Sequence, residues 1–281
     1  MRHDPRAEPG GPAAVCEGLV RIYWSPSGEA HALKGVDAVV PAGRLTAITG
    51  PSGSGKSSQL RILAAQDRPT AGRAEVAGQP LTGLSARRLR ALRRRHIGYV
   101  FARPPQNLLP HLTGREHLAL AARFRGVPRA EAVTQGAELL ELLGIADGAD
   151  HLPGQLSGGE QQRLAFAQAV IGRPALVVAD EPTGELDSAT AADLLAAVRG
   201  LTRTGTTVVM ATHDALAAQA ADQVIHLRSG TVAHEEVGGR QLAVIDGDGR
   251  VQLPPEALAR FASRRVLLDV TDDGVVLRDP T

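Results

Sequence analysis

Gly50-Pro51-Ser52-Gly53-Ser54-Gly55-Lys56-Ser57 sets three glycines, a lysine and a hydroxyl in the pattern G-x-x-x-x-G-K-[ST]. Glycine lets backbone N–H groups turn inward around a phosphate anion. A helix starting here adds its positive N-terminal end. Lys34 and Lys56 are the only lysines in a chain otherwise built with Arg. A lysine is a compact charge on a flexible stem that can reach the β- and γ-phosphates, whereas the planar Arg fork prefers bidentate partners. Ser57 can offer a hydroxyl to Mg²⁺, and Ser58 follows it. The alternative is a Gly/Ser-rich surface turn, and the complete motif in the right setting argues against it. A second chemical pair ends the run Leu176-Val177-Val178-Ala179-Asp180-Glu181. At a strand's carboxyl end Asp180 can hold Mg²⁺ through water, and Glu181 can polarise a water for attack on a phosphate. Alone, such acids would as readily cap the next turn. Beside a phosphate loop that reading is disfavoured.

These groups need rigid elements behind them. LTAITG (45–50), ALVVAD (175–180) and TTVVMATH (206–213) are short apolar runs, as expected of strands buried on both faces of a mostly parallel sheet. Helical stretches alternate with them: SSQLRILAA after the loop, SARRLRALRRR (85–95), AEAVTQGAELLELLG (130–144) and GGEQQRLAFAQAVIG (158–172). The alternation predicts an α/β fold. Residues 1–14 are expected to be a disordered tail, and 15–237 the main domain, with a helical subdomain over about 84–172. Residues 238–281 read as a small β-rich appendage built around Asp-Gly turns.

Composition narrows the classes. The 281 residues carry a formal net charge of +1, so no strong field steers the chain to nucleic acid or lipid. The single cysteine, Cys16, excludes a disulfide framework and a cysteine-built zinc site. No apolar run approaches the ~18 residues of a membrane helix. The polar N-terminus lacks the apolar core of a secretory signal, which places the chain in the cytoplasm as an expectation.

LSGGEQQR (156–163) resembles the signature sequence of ATP-binding cassette (ABC) ATPases. Ser157, Gly158 and Gly159 would stand at a helix N-terminus, an anion site, with Ser157 and Glu160 also forming a capping box. The resemblance covers about residues 15–237 and implies a P-loop core that dimerises head to tail, each phosphate loop facing the other copy's signature across ATP. It implies that Tyr23 stacks on adenine, that Gly184–Asp187 form the loop crossing the seam, with Asp187 near the nucleotide, and that His213 contacts the γ-phosphate. IGYVF, NLLPHLT, ADEPTGELDS and the stretch after His213 look like the lipoprotein-release, macrolide-export and cell-division branch. The implied function is ATP hydrolysis with Mg²⁺, powering a separate membrane permease from the cytoplasmic face of the membrane, as a peripheral subunit that pairs with a second nucleotide-binding subunit. A soluble ABC-type ATPase or a nucleotide switch acting on nucleic acid is the alternative.

Two positions depart from the family. Ala102 stands where a Gln normally contacts Mg²⁺ and the attacking water; water could fill the place, or Gln106 could reach back. Slower hydrolysis is expected. Glu185 replaces the usual Asn, and is expected to be a solvated loop charge. The tail, IDGDGRVQLPPEAL and VLLDVTDDGVVLRDP, is similar to the swapped hairpins of AbrB-like regulators. Its acids outnumber its arginines, so dimerisation or regulation is favoured over a DNA footprint; a β-hairpin packed on its own ATPase domain is the equal alternative.

Overall fold

The computed structural model describes residues 11–26, 28–245, 249–251, 253, 255–261, 266–271 and 274–278. The chain opens with β1 (Ala14–Ser25), β2 (Gly28–Val40) and β3 (Leu45–Thr49). Next come α1 (Lys56–Leu63), β4 (Ala71–Val76), β5 (Gln79–Pro80), α2 (Ala86–His96) and β6 (Ile97–Val100). Four helices follow: α3 (Pro104–Asn107), α4 (Gly114–Arg125), α5 (Arg129–Leu142) and α6 (Gly158–Val170). Then come β7 (Leu176–Asp180), α7 (Ser188–Arg203), β8 (Val208–Ala211), α8 (Ala215–Ala220) and three successive strands, β9 (Gln223–Arg228), β10 (Thr231–Val237) and β11 (Arg240–Leu242). The last described elements are α9 (Pro255–Leu258) and the hairpin β12 (Leu267–Thr271) and β13 (Gly274–Arg278).

The main sheet has the order β11-β10-β9-β3-β8-β7-β6. Pairing from β9 through β6 is parallel, and β10 and β11 extend it antiparallel. The α/β fold with a mostly parallel sheet is therefore borne out. The reason lies in the strand sequences, which have no polar face. Val177, Ala179, Val208 and Met210 enter one core, among helices α4 to α8. Their neighbours Val178, Val209 and Ala211 enter a second core on the other side of the sheet, with α1, α2 and the antiparallel sheet β2-β1-β4-β5. Alternate residues of one strand are buried in opposite layers, as a sheet covered on both faces requires.

Residues 1–10, most of the expected tail, lie outside the described residues. Ala13 and Ala14 within that stretch are buried, and β1 begins at Ala14. Small side chains let the first strand enter the second core there. Within the span expected to be helical, β6 pairs with β7 as the sheet's edge strand. The half-buried Arg125 guanidinium ties α4 to β6 and α6, donating to the carbonyls of Ile97 and Ala169; burial pushes its pKa down to about 10. In the tail, several residues of the AbrB-like motif, including 246–248 and 252, lie outside the described residues. The described part holds the β12–β13 hairpin and an isolated bridge between Ile245 and Val251.

Candidate active site

The carboxyl ends of three adjacent parallel strands, β3, β8 and β7, meet at one edge of the sheet. Open α/β sheets bind ligands at that edge. Gly50 follows β3 directly, with a φ of 144°. A Cβ there would stand 2.1 Å from the Leu227 carbonyl oxygen and 2.8 Å from Ser54 Oγ. Gly55 is as tightly held: its φ is 109°, and a Cβ would meet the Ala32 carbonyl oxygen at 2.5 Å. The loop therefore turns on glycines because neighbouring backbone occupies the space of any side chain. Gly55 is also the N-cap of α1 and supplies no capping side chain. The first N–H groups of that helix are left for another acceptor. Ser54 Oγ is buried with no hydrogen-bond partner. Lys56 Nζ donates to the carbonyls of Gly50 (2.7 Å) and Pro51 (3.2 Å), which holds the ammonium over the loop.

These residues line a cavity of about 750 Å³, together with Tyr23, Ala32, Ser57, Ser58, Glu181 and His213. Gly50 through Ser58, Tyr23, Glu181 and His213 are thus brought together by the fold. The ring of Tyr23 is covered on one face by the Arg21 guanidinium, 4.3 Å from its centroid. Its hydroxyl donates to Asp67 Oδ2 at 2.9 Å. The ring orientation is fixed, and a planar ligand has one face to stack on.

Glu181 has a φ of 47°. That left-handed backbone is costly for a residue with a Cβ. Its N–H donates to the carbonyl of Ala211 at 2.9 Å, and its Oε2 lies 2.9 Å from His213 Nδ1 and accepts from the His213 N–H at 3.3 Å. Strain of this sort persists where surrounding structure imposes it, and it clusters at functional positions. The loop after β8 is braced in turn: Thr183 Oγ1 donates to Asp214 Oδ2 at 3.0 Å.

Asp180, at the end of β7, has its pKa raised. Burial is the largest cause and Glu181 adds to it, while Arg61, Ser57 and Lys56 pull the other way. Tyr99 on β6 is pushed up to about 12, by burial first and then by Asp180. A half-buried carboxylate beside a serine hydroxyl presents hard oxygen donors, which suit Mg²⁺. The cradle of inward glycine backbone, the lone Ser54 hydroxyl and the uncapped α1 terminus fit a polyphosphate.

The signature residues do not line this cavity. Ser157 caps α6: its N–H and Oγ donate to Glu160 Oε2 at 2.8 and 2.7 Å, and its Oγ accepts from the Glu160 N–H at 3.3 Å. Gly158 is exposed beside it, while Gly159 is buried, and a Cβ on Gly159 would stand 2.2 Å from Thr190 Cγ2. Asp187 caps α7, accepting from the N–H groups of Ala189 and Thr190 and from Thr190 Oγ1. Those bonds, Thr190's first, hold its carboxyl below the usual range. Thr190 thus joins the two helix starts, leaving the Ser157–Gly158 tip open.

The structure refines both departures. Gln106 is exposed on α3 and is not among the residues lining the cavity, so the idea that it reaches back has no geometric support here. The backbone beside Ala102 is held instead by Asn107, whose Oδ1 accepts from the Phe101 N–H at 2.8 Å, and by Gln162, whose Nε2 donates to the Phe101 carbonyl at 3.2 Å. Glu185 pairs with Arg103 Nε at 3.3 Å, so it bridges two loops as well as meeting solvent. Sequence reasoning missed Ala32, Arg61 and Tyr99. Ala32 contributes a backbone carbonyl, and the other two act across elements, so no local motif marks them.

Comparisons with known proteins bear on the family of the chain. The family model described as ABC transporter matches residues 33–184. The macrolide export ATP-binding/permease protein MacB of Rhodopseudomonas palustris is 41% identical over 257 residues, covering 91% of this chain and 38% of that protein. MacB of Shigella flexneri is 37% identical over 236 residues, covering 84% of this chain and 36% of its own length. The chain thus spans well under half of these relatives. Among solved structures, the dimeric bacterial ABC transporter cassette MJ0796 superposes with a TM-score of 0.71 at 34% identity, covering 81% of this chain and 99% of that one. Another structure of MJ0796 is a dimeric post-hydrolysis state bound to ADP and Pi. CbiO1 of Clostridium perfringens, part of the transporter complex cbiONQ, gives 0.72 at 26% identity, covering 80% of this chain and 88% of its own.

Proposed function

The chain belongs to the ABC transporter family of ATP-binding proteins, and from that premise we propose that it binds and hydrolyses ATP as the energy-supplying part of a transporter. The observation that carries the proposal is the convergence of the glycine cradle, Lys56, Glu181 and His213 on one cavity. Lys56 and the backbone N–H groups of the loop after Pro51, through Ser58, take the phosphates, with Tyr23 beneath the adenine. Glu181 accepts a proton from the attacking water and orients it, while His213 holds the Glu181 carboxylate and meets the γ-phosphate. Transfer to water then needs mainly positioning and charge stabilisation. Ser57 and Asp180 would hold Mg²⁺, which supplies neutralisation of the developing phosphate charge.

The open tip at Ser157–Gly158 supports a head-to-tail pair. Within one chain it serves no part of the cavity, yet it is a helix terminus able to meet a γ-phosphate presented by a second copy. The MJ0796 cassette is dimeric, which favours the same arrangement here, with Asp187 near the seam. The partner chemistry is a membrane permease on the cytoplasmic side. No helix among the described residues is long and apolar enough to cross a membrane. Residues 15–237 form the nucleotide unit in this reading, with about 84–172 as its helical subdomain and 238–281 as an appendage.

Hydrolysis by the purified chain tests this directly. Phosphate release from MgATP should be abolished in Lys56→Ala. Equal turnover in that variant and the parent chain would refute the assignment.

A further inference from the structure

Behind the phosphate loop, on the opposite flank of β3 from β8, His226, His234 and Glu236 form a compact group. Their ligand atoms all lie within 4.8 Å of one another. His226 Nε2 stands 3.0 Å from Glu236 Oε1, and His234 Nε2 is 3.7 Å from the same oxygen. We propose that this group is a binding site for a transition-metal dication of the Zn²⁺ class, separate from the Mg²⁺ expected beside the nucleotide.

The strand register builds the group. Val232 pairs with Leu227, but His234 pairs with His226, so an extra residue, Ala233, is inserted between those pairs. A bulge of this kind re-aims a side chain. Without it His234 would oppose Ile225 and point to the other face. With it, His234 sits directly across from His226, and Glu236, two residues further along β10, shares that face.

The donor chemistry is specific. Two imidazoles and one carboxylate make up a His₂Glu set, which leaves a fourth position for water in a tetrahedral site. With metal–ligand bonds of ~2.0–2.1 Å, ligand atoms in such a site stand roughly 3.3 Å apart. The two separations to Glu236 Oε1 fall on either side of that value. The rings of His226 and His234 are stacked, with centroids 4.0 Å apart and planes inclined 22°. Convergence on one ion therefore requires the rings to splay, with His234 and Glu236 adjusting. Both sit on β10, next to the sheet's edge strand, with side chains 24% and 45% exposed.

A neighbouring hydroxyl can hold the His226 ring once a metal is bound. Thr49 Oγ1 lies 2.8 Å from His226 Nδ1. Without metal, the 3.0 Å approach of Nε2 to Glu236 Oε1 needs a proton between them; a bound dication would replace that proton, and Nδ1–H would then donate to the Thr49 hydroxyl. Metal-bound histidines are commonly fixed in this way through their second nitrogen. A hard ion such as Mg²⁺ prefers oxygen donors, so a site with two nitrogens discriminates against it. Thr49 directly precedes Gly50, and the Gly230 N–H in the β9–β10 turn donates to the Ser54 carbonyl at 3.0 Å. The site is thus anchored to the base of the phosphate loop.

Co²⁺ titration of the full chain in excess Mg²⁺, followed by visible absorption, tests the proposal. One Co²⁺ per chain should give the intense bands of four- or five-coordinate geometry, and Zn²⁺ should displace it stoichiometrically. His234→Gln and His226→Ala should remove the bands, or weaken affinity at least tenfold. Thr49→Val should weaken binding ~10–100-fold while leaving the bands at saturation. His213→Ala should retain the signal, which separates this group from the cavity mouth. Far-ultraviolet circular dichroism checks that each variant is folded; His234→Gln, near the sheet edge, decides if His226→Ala is not. Absence of bands in the parent chain, or bands unchanged in His234→Gln, would overturn the proposal.

Discussion

Glu181 links backbone strain to chemistry, so replacing it by Gly, Ala and Gln separates the two. At a φ of 47° a residue with a Cβ carries about 1–2 kcal/mol of left-handed penalty. Glu181→Gly removes that penalty but adds about 0.5–1 kcal/mol of unfolded-chain entropy. It also loses the contact with His213, whose side chain is 72% exposed; such pairs are worth about 0–1 kcal/mol. The terms nearly cancel, so Tm should move by no more than about 3 °C. Glu181→Ala keeps the strained backbone and loses the same contact, so it should be less stable than the Gly variant by up to about 1 kcal/mol. Glu181→Gln keeps strain and length and loses only the charge. Hydrolysis should fall ~10²–10⁴-fold in all three, the range expected for loss of a positioned general base. Thermal melts and a phosphate-release assay read the two axes independently. A Gly variant less stable than the Ala variant would refute the strain argument. A Gln variant within threefold of parent turnover would refute the role of the carboxylate.

Gly50→Ala puts a methyl 2.1 Å from the Leu227 carbonyl oxygen, so the loop must shift; nucleotide affinity, read by calorimetry, should fall at least tenfold, and unchanged affinity would contradict the cradle. Asp180 has a raised pKa in the folded chain, so its contribution is favourable at acid pH and is lost as pH rises through the window between the unfolded and folded values. Asp180→Asn should therefore raise Tm of the nucleotide-free chain at neutral pH, with the gain disappearing toward acid pH, while Mg²⁺-dependent hydrolysis is lost. Ala102→Gln should raise turnover, by restoring the amide that the family resemblance implies at this position; no change or a fall would show that the loop braced by Asn107 and Gln162 does not use one.

The phosphate loop was legible in the sequence because its chemistry is local: glycine spacing, one lysine and the hydroxyl that follows it, all within eight consecutive residues. The parallel sheet was legible because its strands lack a polar face. What depended on three-dimensional register was not. The strained backbone of Glu181 follows from the turn after β7, and nothing in the neighbouring residue types announces it. The pairing of Arg103 with Glu185 joins loops more than eighty positions apart in the chain, so Glu185 read as a solvated charge. His226, His234 and Glu236 look like scattered strand residues until the bulge at Ala233 aligns them. Ala13 and Ala14 read as tail because Pro and Gly dominate the preceding residues, yet β1 begins at Ala14 and both side chains are buried in the second core.

The central claim is that each nucleotide site is shared, the cradle coming from one copy and the Ser157–Gly158 tip from the other. Complementation tests it most directly. In a Glu181→Gln background, chains also carrying Lys56→Ala and chains also carrying Ser157→Arg are examined by sedimentation with MgATP, separately and mixed. Neither alone should dimerise, but the mixture should, because a two-fold pair of unlike chains retains one site with both halves intact. A mixture that stays monomeric, while the Glu181→Gln chain alone dimerises, would contradict the shared site.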